Sequence, residues 1–285
     1  MKVTVFEVGP RDGLQSLSHV VPTQERRELI NALYNAGIEH IEEVSFVHPK
    51  VLPQMAGAEE VFTGKGSTLV LNQRGFDRAM AAGAELVNIV LSPCESFNLR
   101  NMGKRHHELM LSYRTFLHDY PKEKVRVYLS MAFGSPDSGF FDRKHLDLMV
   151  RDAKMFGNTV VFADTIGAAT SADIGMAADI AFEHGMTPAL HLHHRGDEAR
   201  PLSLIRAGLL AGIRQFDSSI GGLGGCPFAE GSGANLATET LVRHLDAWGF
   251  ETGIDQRGLR AAEQLAFKLR HPPQTALSSD IVTVA

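Results

Sequence analysis

The chain has 285 residues, 44% of them hydrophobic, with 28 Lys and Arg against 33 Asp and Glu and a formal net charge of −5. No basic block stands out, which argues against a nucleic-acid surface, and no apolar run is long enough to cross a bilayer. Two cysteines do not build a disulfide framework and suit a reducing compartment; with no leader pattern ahead of the first strand, a cytoplasmic protein is expected.

Short β-rich runs alternate with helical patterns. Residues 3–8 read as a first strand running into Glu7-Val-Gly-Pro-Arg-Asp-Gly-Leu-Gln15, which puts Arg11 and Asp12 at its mouth. Thr23 stands where it would cap a helix whose Leu29, Ile30 and Leu33 share a face, and Gly37 stands where that helix should end. A second strand, 40–44, carries Glu42 inside an apolar run. An unpaired carboxylate there is costly, so Glu42 needs a partner, and Arg11 on the neighbouring strand is the expected one. Further strands are expected at 68–71, 86–91, 125–131, 159–163, 189–193 and 215–218. All are brief and rich in Val, Ile, Leu or Phe, as in parallel strands buried on both faces. Helices are expected at 76–82, 107–118, 146–155, 172–182 and 202–211.

Eight strands with intervening helices match an α/β fold of the (β/α)8 TIM barrel type, one domain over 1–285. Extra C-terminal helices follow at 235–248 and 257–270. An open doubly wound sheet is the alternative, but no G-x-G-x-x-G follows the first strand. A barrel places chemistry beyond the C-terminal ends of its strands. The sixth strand ends at Asp164. In the seventh, His191 and His193 are two apart and project to one face, a pairing suited to a divalent metal. Asp12 would add a third ligand and Asn235 a fourth. Oxygen donors alongside the imidazoles allow Mg²⁺ or Mn²⁺. The eighth strand opens into Asp217-Ser-Ser-Ile-Gly-Gly-Leu-Gly-Gly-Cys-Pro-Phe-Ala229. There Gly221, Gly222, Gly224 and Gly225 free the backbone around Cys226. Asn235 and Glu239 follow, one helical turn apart.

These segments, FEVGPRDGLQ (6–15), SFVHPKVLPQM (45–55), DTIG (164–167) and DSSIGGLGGCPFAEGSGANLATE (217–239), resemble those of the 3-hydroxy-3-methylglutaryl-CoA lyases. That family consists of metal-dependent barrels related to the isopropylmalate and homocitrate synthases. The resemblance runs from about residue 3 to about residue 245. It implies metal ligation by Asp12, His191, His193 and Asn235, a catalytic arginine at Arg11, a mobile-loop cysteine at Cys226 and an essential glutamate at Glu42. Gln15, Asp164, Glu239 and Gly225 match substrate-side positions. The implied reaction is retro-Claisen cleavage of a branched 3-hydroxyacyl-CoA to a 3-oxoacid and acetyl-CoA. Asp12 or His191 would take the hydroxyl proton, Arg11 would stabilise the thioester enolate and Cys226 would protonate it. Two departures bear on the acyl group: the family continues its metal motif with Asp-Thr-Tyr-Gly, where this chain has His194-Arg-Gly-Asp197, and Ser135 replaces a common cysteine. Both are expected on loops facing the substrate. Lys50, Arg100 and Lys104 are expected on or near mouth loops, within reach of coenzyme A phosphates. A homo-oligomer is expected, with neither nucleic acid nor membrane as partner. The rival readings are a condensing synthase or aldolase acting on a 2-oxoacid, and a barrel that has lost catalysis and only binds a metabolite.

Overall fold

A computed structural model describes residues 1–137, 139–224 and 233–272. Eight parallel strands stand side by side in chain order: β1 (Thr4–Glu7), β2 (His40–Ser45), β3 (Ser67–Leu69), β4 (Leu86–Leu91), β5 (Val125–Ser130), β6 (Thr159–Asp164), β7 (Thr187–His194) and β8 (Gln215–Ser218). The sheet closes because β8 pairs on both sides. Asp217 stands opposite Phe6 of β1 and opposite His191 of β7. This is the expected (β/α)8 TIM barrel. No helix among the described residues is long and apolar enough to cross a membrane.

Ten helices of the described residues surround the sheet: α1 (Thr23–Asn35), α2 (Ala58–Val61), α3 (Gln73–Ala81), α4 (Glu95–Met102), α5 (His106–Phe116), α6 (Arg143–Lys154), α7 (Ser171–Glu183), α8 (Ala199–Leu210), α9 (Thr238–Ala247) and α10 (Gln256–Arg270). Helices α1, α5, α6, α7 and α8 bury apolar stripes in one core with the strands, so the main core lies between strands and helices. In α7 the stripe is Ile174, Ala177, Ala178 and Ala181. That helix starts at a capping box: the Asp173 N–H donates to the Thr170 hydroxyl, and the Thr170 N–H donates to the Asp173 carboxylate at 2.8 Å. A second apolar cluster, including Leu69, Val90, Phe97, Val161 and Ala189, is separate from the main core.

Two local expectations are corrected and one is met. Thr23 is the first residue of α1 and makes no capping bond. Pro22 occupies the cap position with extended backbone (ψ 144°), and its carbonyl accepts the Arg26 N–H. Gly37 does end the helix, at φ +86°, where its N–H reaches the Tyr34 carbonyl. Asn235 is not helical: residues Ala234–Asn235 form a short strand antiparallel to the end of β7, with Asn235 opposite His193. Backbone pairing between Ser219 and Leu236 and between Leu236 and Leu192 draws this segment across the barrel mouth, so α9 starts only at Thr238. α4 and a small hairpin pairing Gly134–Ser135 with Gly139–Phe140 lie at the mouth and have no counterpart among the expected elements.

Candidate active site

Beyond β1, Gly9–Gly13 wraps into one wide turn in which the N–H groups of Arg11, Asp12 and Gly13 all reach the Val8 carbonyl. Such π-type turns favour functional positions because they re-aim side chains. Here the turn sends Arg11 toward β2. The Arg11 Nε donates to Glu42 Oε2 at 2.5 Å, a second guanidinium nitrogen also meets Glu42, and Nη1 donates to Asp12 Oδ1 at 2.8 Å. Asn88 of β4 donates to the other Glu42 oxygen at 2.7 Å. Glu42 is fully buried, so its charge is tolerable only with these partners. Burial raises its pKa, with Arg11 opposing. Burial would also raise that of Asp12, but the charge of Arg11, then those of His191 and His193, bring it below the usual carboxylate value.

On β7, His191 and His193 do project to one side, into the barrel. One oxygen of Asp12 and one ring nitrogen from each histidine lie within 4.8 Å of one another. The Nε2 atoms of the two rings are 2.9 Å apart. His193 Nδ1 faces the Thr165 carbonyl at 3.0 Å, and His191 Nδ1 faces the Asp217 carboxylate at 3.3 Å. Each Nδ1 therefore carries its proton toward an acceptor, and when both rings are neutral each Nε2 presents a lone pair to the other. Two lone pairs at that distance repel unless something positive lies between them. Burial, then the charge of His191, pushes the His193 pKa down to about 4, the neutral state a metal ligand needs. That of His191 is raised against burial by its bond to Asp217.

Asn235 completes the group. Its Nδ2 donates to Asp12 Oδ2 at 2.8 Å and to the Leu223 carbonyl at 3.0 Å. Its Oδ1 is buried without a hydrogen-bond partner. A cation held by Asp12 and the histidines would engage it. Carboxylate, amide oxygen and two imidazoles suit a hard divalent ion, and the residues present fit one.

Asp12, His191 and His193, but not Asn235, line a chamber of about 100 Å³ open volume at the C-terminal rim. Arg11, Asp12, Gln15, Tyr128, His191 and His193 form its polar side, and Val47, Leu52, Leu69, Leu71, Val90 and Phe97 much of its apolar side. Gln15 donates to Asp12 Oδ1 at 3.2 Å. Glu42, Asp164 and Glu239 do not line the chamber. Asp164 is engaged elsewhere: Oδ1 accepts the Ala168 and Ala169 N–H groups and Oδ2 accepts Arg200 Nη2 at 3.1 Å. Glu239 accepts the Gly221 N–H at 3.1 Å. Gly221, Gly222 and Gly224 take positive φ of 62°, 59° and 121°; Gly225 and Cys226 lie outside the described residues. Neither Ser135 nor residues 194–197 line the chamber. Ser135 is buried in the hairpin, His194 extends the ladder opposite Ala234, and Arg195 donates to the Ile166 carbonyl at 3.1 Å.

Several supporting residues escaped the sequence reading. Asp217 Oδ2 accepts the Tyr128 hydroxyl at 2.8 Å besides facing His191, and Oδ1 accepts Arg126 Nη2 at 3.0 Å. The Arg126 guanidinium lies 3.7 Å from the Phe6 ring centre. Thr165 offers its carbonyl to His193 and its hydroxyl to the N–H of Met131, which is held at φ 59°. Glu7, at the end of β1, accepts the Gly9 N–H at 2.7 Å, the Ile220 N–H at 3.0 Å and the Thr238 hydroxyl at 2.5 Å. It thereby ties the Asp12 turn, the glycine loop and the start of α9 together. Burial pushes its pKa up to about 7. Strand alternation could have flagged Arg126 and Tyr128, two apart on β5.

A closed parallel barrel with a carboxylate, an amide and two imidazoles converging at its C-terminal rim is the architecture of a divalent-metal barrel enzyme. The HMGL-like family model matches residues 2–266. A 3-hydroxy-3-isohexenylglutaryl-CoA/hydroxy-methylglutaryl-CoA lyase of Pseudomonas aeruginosa is 34% identical over 273 residues, covering 92% of this chain and 91% of that protein. An (R)-citramalyl-CoA lyase of Chloroflexus aurantiacus is 32% identical over 282 residues, covering 91% and 88%. An HMG-CoA lyase from Acinetobacter baumannii, solved in complex with coenzyme A and 3-methylmalate, superposes with a TM-score of 0.88 at 31% identity, covering 100% of this chain and 97% of that one. The chain belongs to the HMGL-like family, and as an enzyme it is a carbon–carbon lyase.

Proposed function

We propose that this lyase cleaves 3-hydroxy-3-methylglutaryl-CoA, or a related branched 3-hydroxyacyl-CoA, to a 3-oxoacid and acetyl-CoA, with Mg²⁺ or Mn²⁺ held by Asp12, His191, His193 and Asn235. The observation that carries the reading is the convergence of one Asp12 oxygen and one ring nitrogen from each histidine within 4.8 Å, beside a buried Asn235 oxygen that lacks a partner. When bound, the cation supplies Lewis acidity toward the C3 hydroxyl.

The protein's own groups supply the rest. Asp12, kept ionised by Arg11 and the histidines, is the base nearest a hydroxyl presented at this rim. Arg11 keeps its positive charge at any working pH. It lines the chamber, where it meets the charge that gathers on the thioester oxygen as the C2–C3 bond breaks. Glu42 and Asn88 hold Arg11 in place and touch no substrate. The apolar wall excludes water from the departing enolate. Cys226, carried over from the family resemblance, delivers the final proton; a thiol pKa of ~8.5 suits that task. Gln15 orients Asp12, whereas Asp164 and Glu239 act through the loops they fasten.

The test is acetyl-CoA release from a panel of 3-hydroxyacyl-CoA thioesters with Mg²⁺ or Mn²⁺ present. Cleavage of at least one, abolished by chelator and restored by metal, is the expected result. No cleavage of any member overturns the proposal.

A further inference from the structure

Asp12 and Asn235 are 223 residues apart in the chain, yet Asn235 Nδ2 meets Asp12 Oδ2 at 2.8 Å. Neither rides on a long element: Asp12 belongs to a five-residue turn and Asn235 to a two-residue strand. One fully buried side chain reaches the surroundings of both. Glu7 Oε1 accepts the Gly9 N–H, where the Asp12 turn starts, at 2.7 Å, and the Ile220 N–H at 3.0 Å. Its Oε2 accepts the hydroxyl of Thr238, just beyond Asn235, at 2.5 Å. The segment begun by Ile220 leads to Leu223, whose carbonyl accepts Asn235 Nδ2. The pieces meet without slack. A Cβ on Gly9 would lie 2.6 Å from Glu7 Oε1, and one on Gly13 would lie 2.7 Å from the Leu223 Cβ, so both positions need glycine for the close approach.

We propose that Glu7 is a positioning residue for the metal site: by holding the N–H groups of Gly9 and Ile220 and the hydroxyl of Thr238 at once, it fixes Asp12 against Asn235; the proposal rests on the metal reading given above. Glu7 does not line the chamber, so it acts through the backbone that carries the ligands. Reach, not charge, is the property that matters. A glutamine keeps the reach. Its Oε1 still accepts both N–H groups, and its Nε2 donates to the Thr238 hydroxyl, whose own proton can turn to Ser218 Oγ at 2.8 Å. An aspartate keeps the charge but is one methylene shorter and cannot span the three groups. An alanine leaves two buried N–H groups without their acceptor. With the frame loosened, the ligands lose the orientation that outer partners normally give them, and removal of such partners weakens metal binding on the order of 10–100-fold.

The experiment measures Mn²⁺ affinity by calorimetry on the whole chain, well below its melting temperature. Glu7→Ala and Glu7→Asp should bind Mn²⁺ roughly tenfold or more weaker than the wild type, and Glu7→Gln within about threefold of it. Leu109→Ala, which opens a cavity in the main core under α5, is the control: it should lower the melting temperature and leave Mn²⁺ affinity unchanged. Wild-type affinity in Glu7→Ala overturns the proposal, as does a Glu7→Gln that binds as weakly as Glu7→Ala. A Leu109→Ala that loses affinity to the same extent also overturns it, because the ion would then report only global stability. If Glu7→Ala does not fold, Glu7→Asp against Glu7→Gln decides on the same terms. Amide exchange of the metal-free protein gives a second readout. Glu7→Ala should exchange roughly tenfold or more faster over 9–13 and 219–223, with α5 unchanged; equal rates overturn the proposal. A wild type that binds no Mn²⁺ would refute the metal reading, and exchange would then decide whether Glu7 fixes this pairing.

Discussion

Replacing Glu42 by Gln keeps the shape of the side chain and removes its charge. The carboxylate receives donors on both oxygens: two nitrogens of Arg11, with Nε at 2.5 Å, on one, and Asn88 Nδ2 at 2.7 Å on the other. A glutamine turns one oxygen into a donor, so either Arg11 or Asn88 faces another N–H. Breaking one side of a buried ion pair costs about 3–5 kcal/mol. Asp12, still 2.8 Å from Arg11 Nη1, offsets part of this, leaving an expected loss of about 2–4 kcal/mol in unfolding free energy. An Arg11 no longer aimed at the thioester oxygen should lower kcat on the order of 10²–10³-fold. Both quantities are measurable, by urea unfolding and by acetyl-CoA release at saturating metal. Glu42 has its pKa raised by burial, so if it carried protons its titration would shape the pH–rate profile and the glutamine would erase that limb. A positioning role lowers the profile without changing its shape. The reasoning is refuted if kcat stays within about threefold of the wild type, or if a limb disappears.

Asp217→Asn should weaken Mn²⁺ binding by about 10–100-fold, since His191 loses the carboxylate that fixes its tautomer; calorimetry reads this directly, and equal affinities would show that the ring is held by other means. Gly233→Ala would set a Cβ 1.8 Å from the His194 carbonyl oxygen. The backbone leading to Asn235 must then move, so both the melting temperature and Mn²⁺ affinity should fall, and a variant with wild-type values for both would refute the close approach. Glu7→Gln tests a pH effect. Glu7 has a pKa raised by burial to about 7 in the folded protein. Its contribution is fully present below the unfolded value and is lost as pH rises through about 7, roughly 3 kcal/mol in all. The variant should therefore unfold with a flatter pH dependence than the wild type between about pH 4.5 and pH 7; parallel curves would contradict the assignment.

The barrel could be read from the chain because its strands announce themselves twice, as buried Val, Ile and Leu runs and by spacing. The Arg11–Glu42 pair was also legible, since a carboxylate in an apolar strand demands a partner and the adjacent strand end offered one. His191 and His193 followed from the two-residue period of a strand. The environment of Asp217 did not. Its partners Arg126 and Tyr128 come from β5 and face it only because the sheet curls into a ring. Asn235 was misplaced in a helix because what holds it extended, its pairing with His193 and the backbone bonds of its neighbour Leu236 to Leu192 and Ser219, comes from residues remote in sequence. Asp164 stands at a strand end, as expected of a substrate contact, but Arg200 and two loop amides claim it. Helix α4 contains few apolar residues in a helical period, so nothing in its pattern set it apart from a loop.

The donors Asp12 and the two histidines come from the two strands that flank β8, the last strand to enter the ring. A cation bridging them spans the seam where N- and C-terminal parts of the barrel meet, so it can be held only after the circle is complete. Occupancy at one hundred times Kd would add about 2.7 kcal/mol against opening of that seam. Metal loading should then act as a lock on the assembled cylinder, and withdrawal of the ion should ease fraying of the chain ends ahead of its middle.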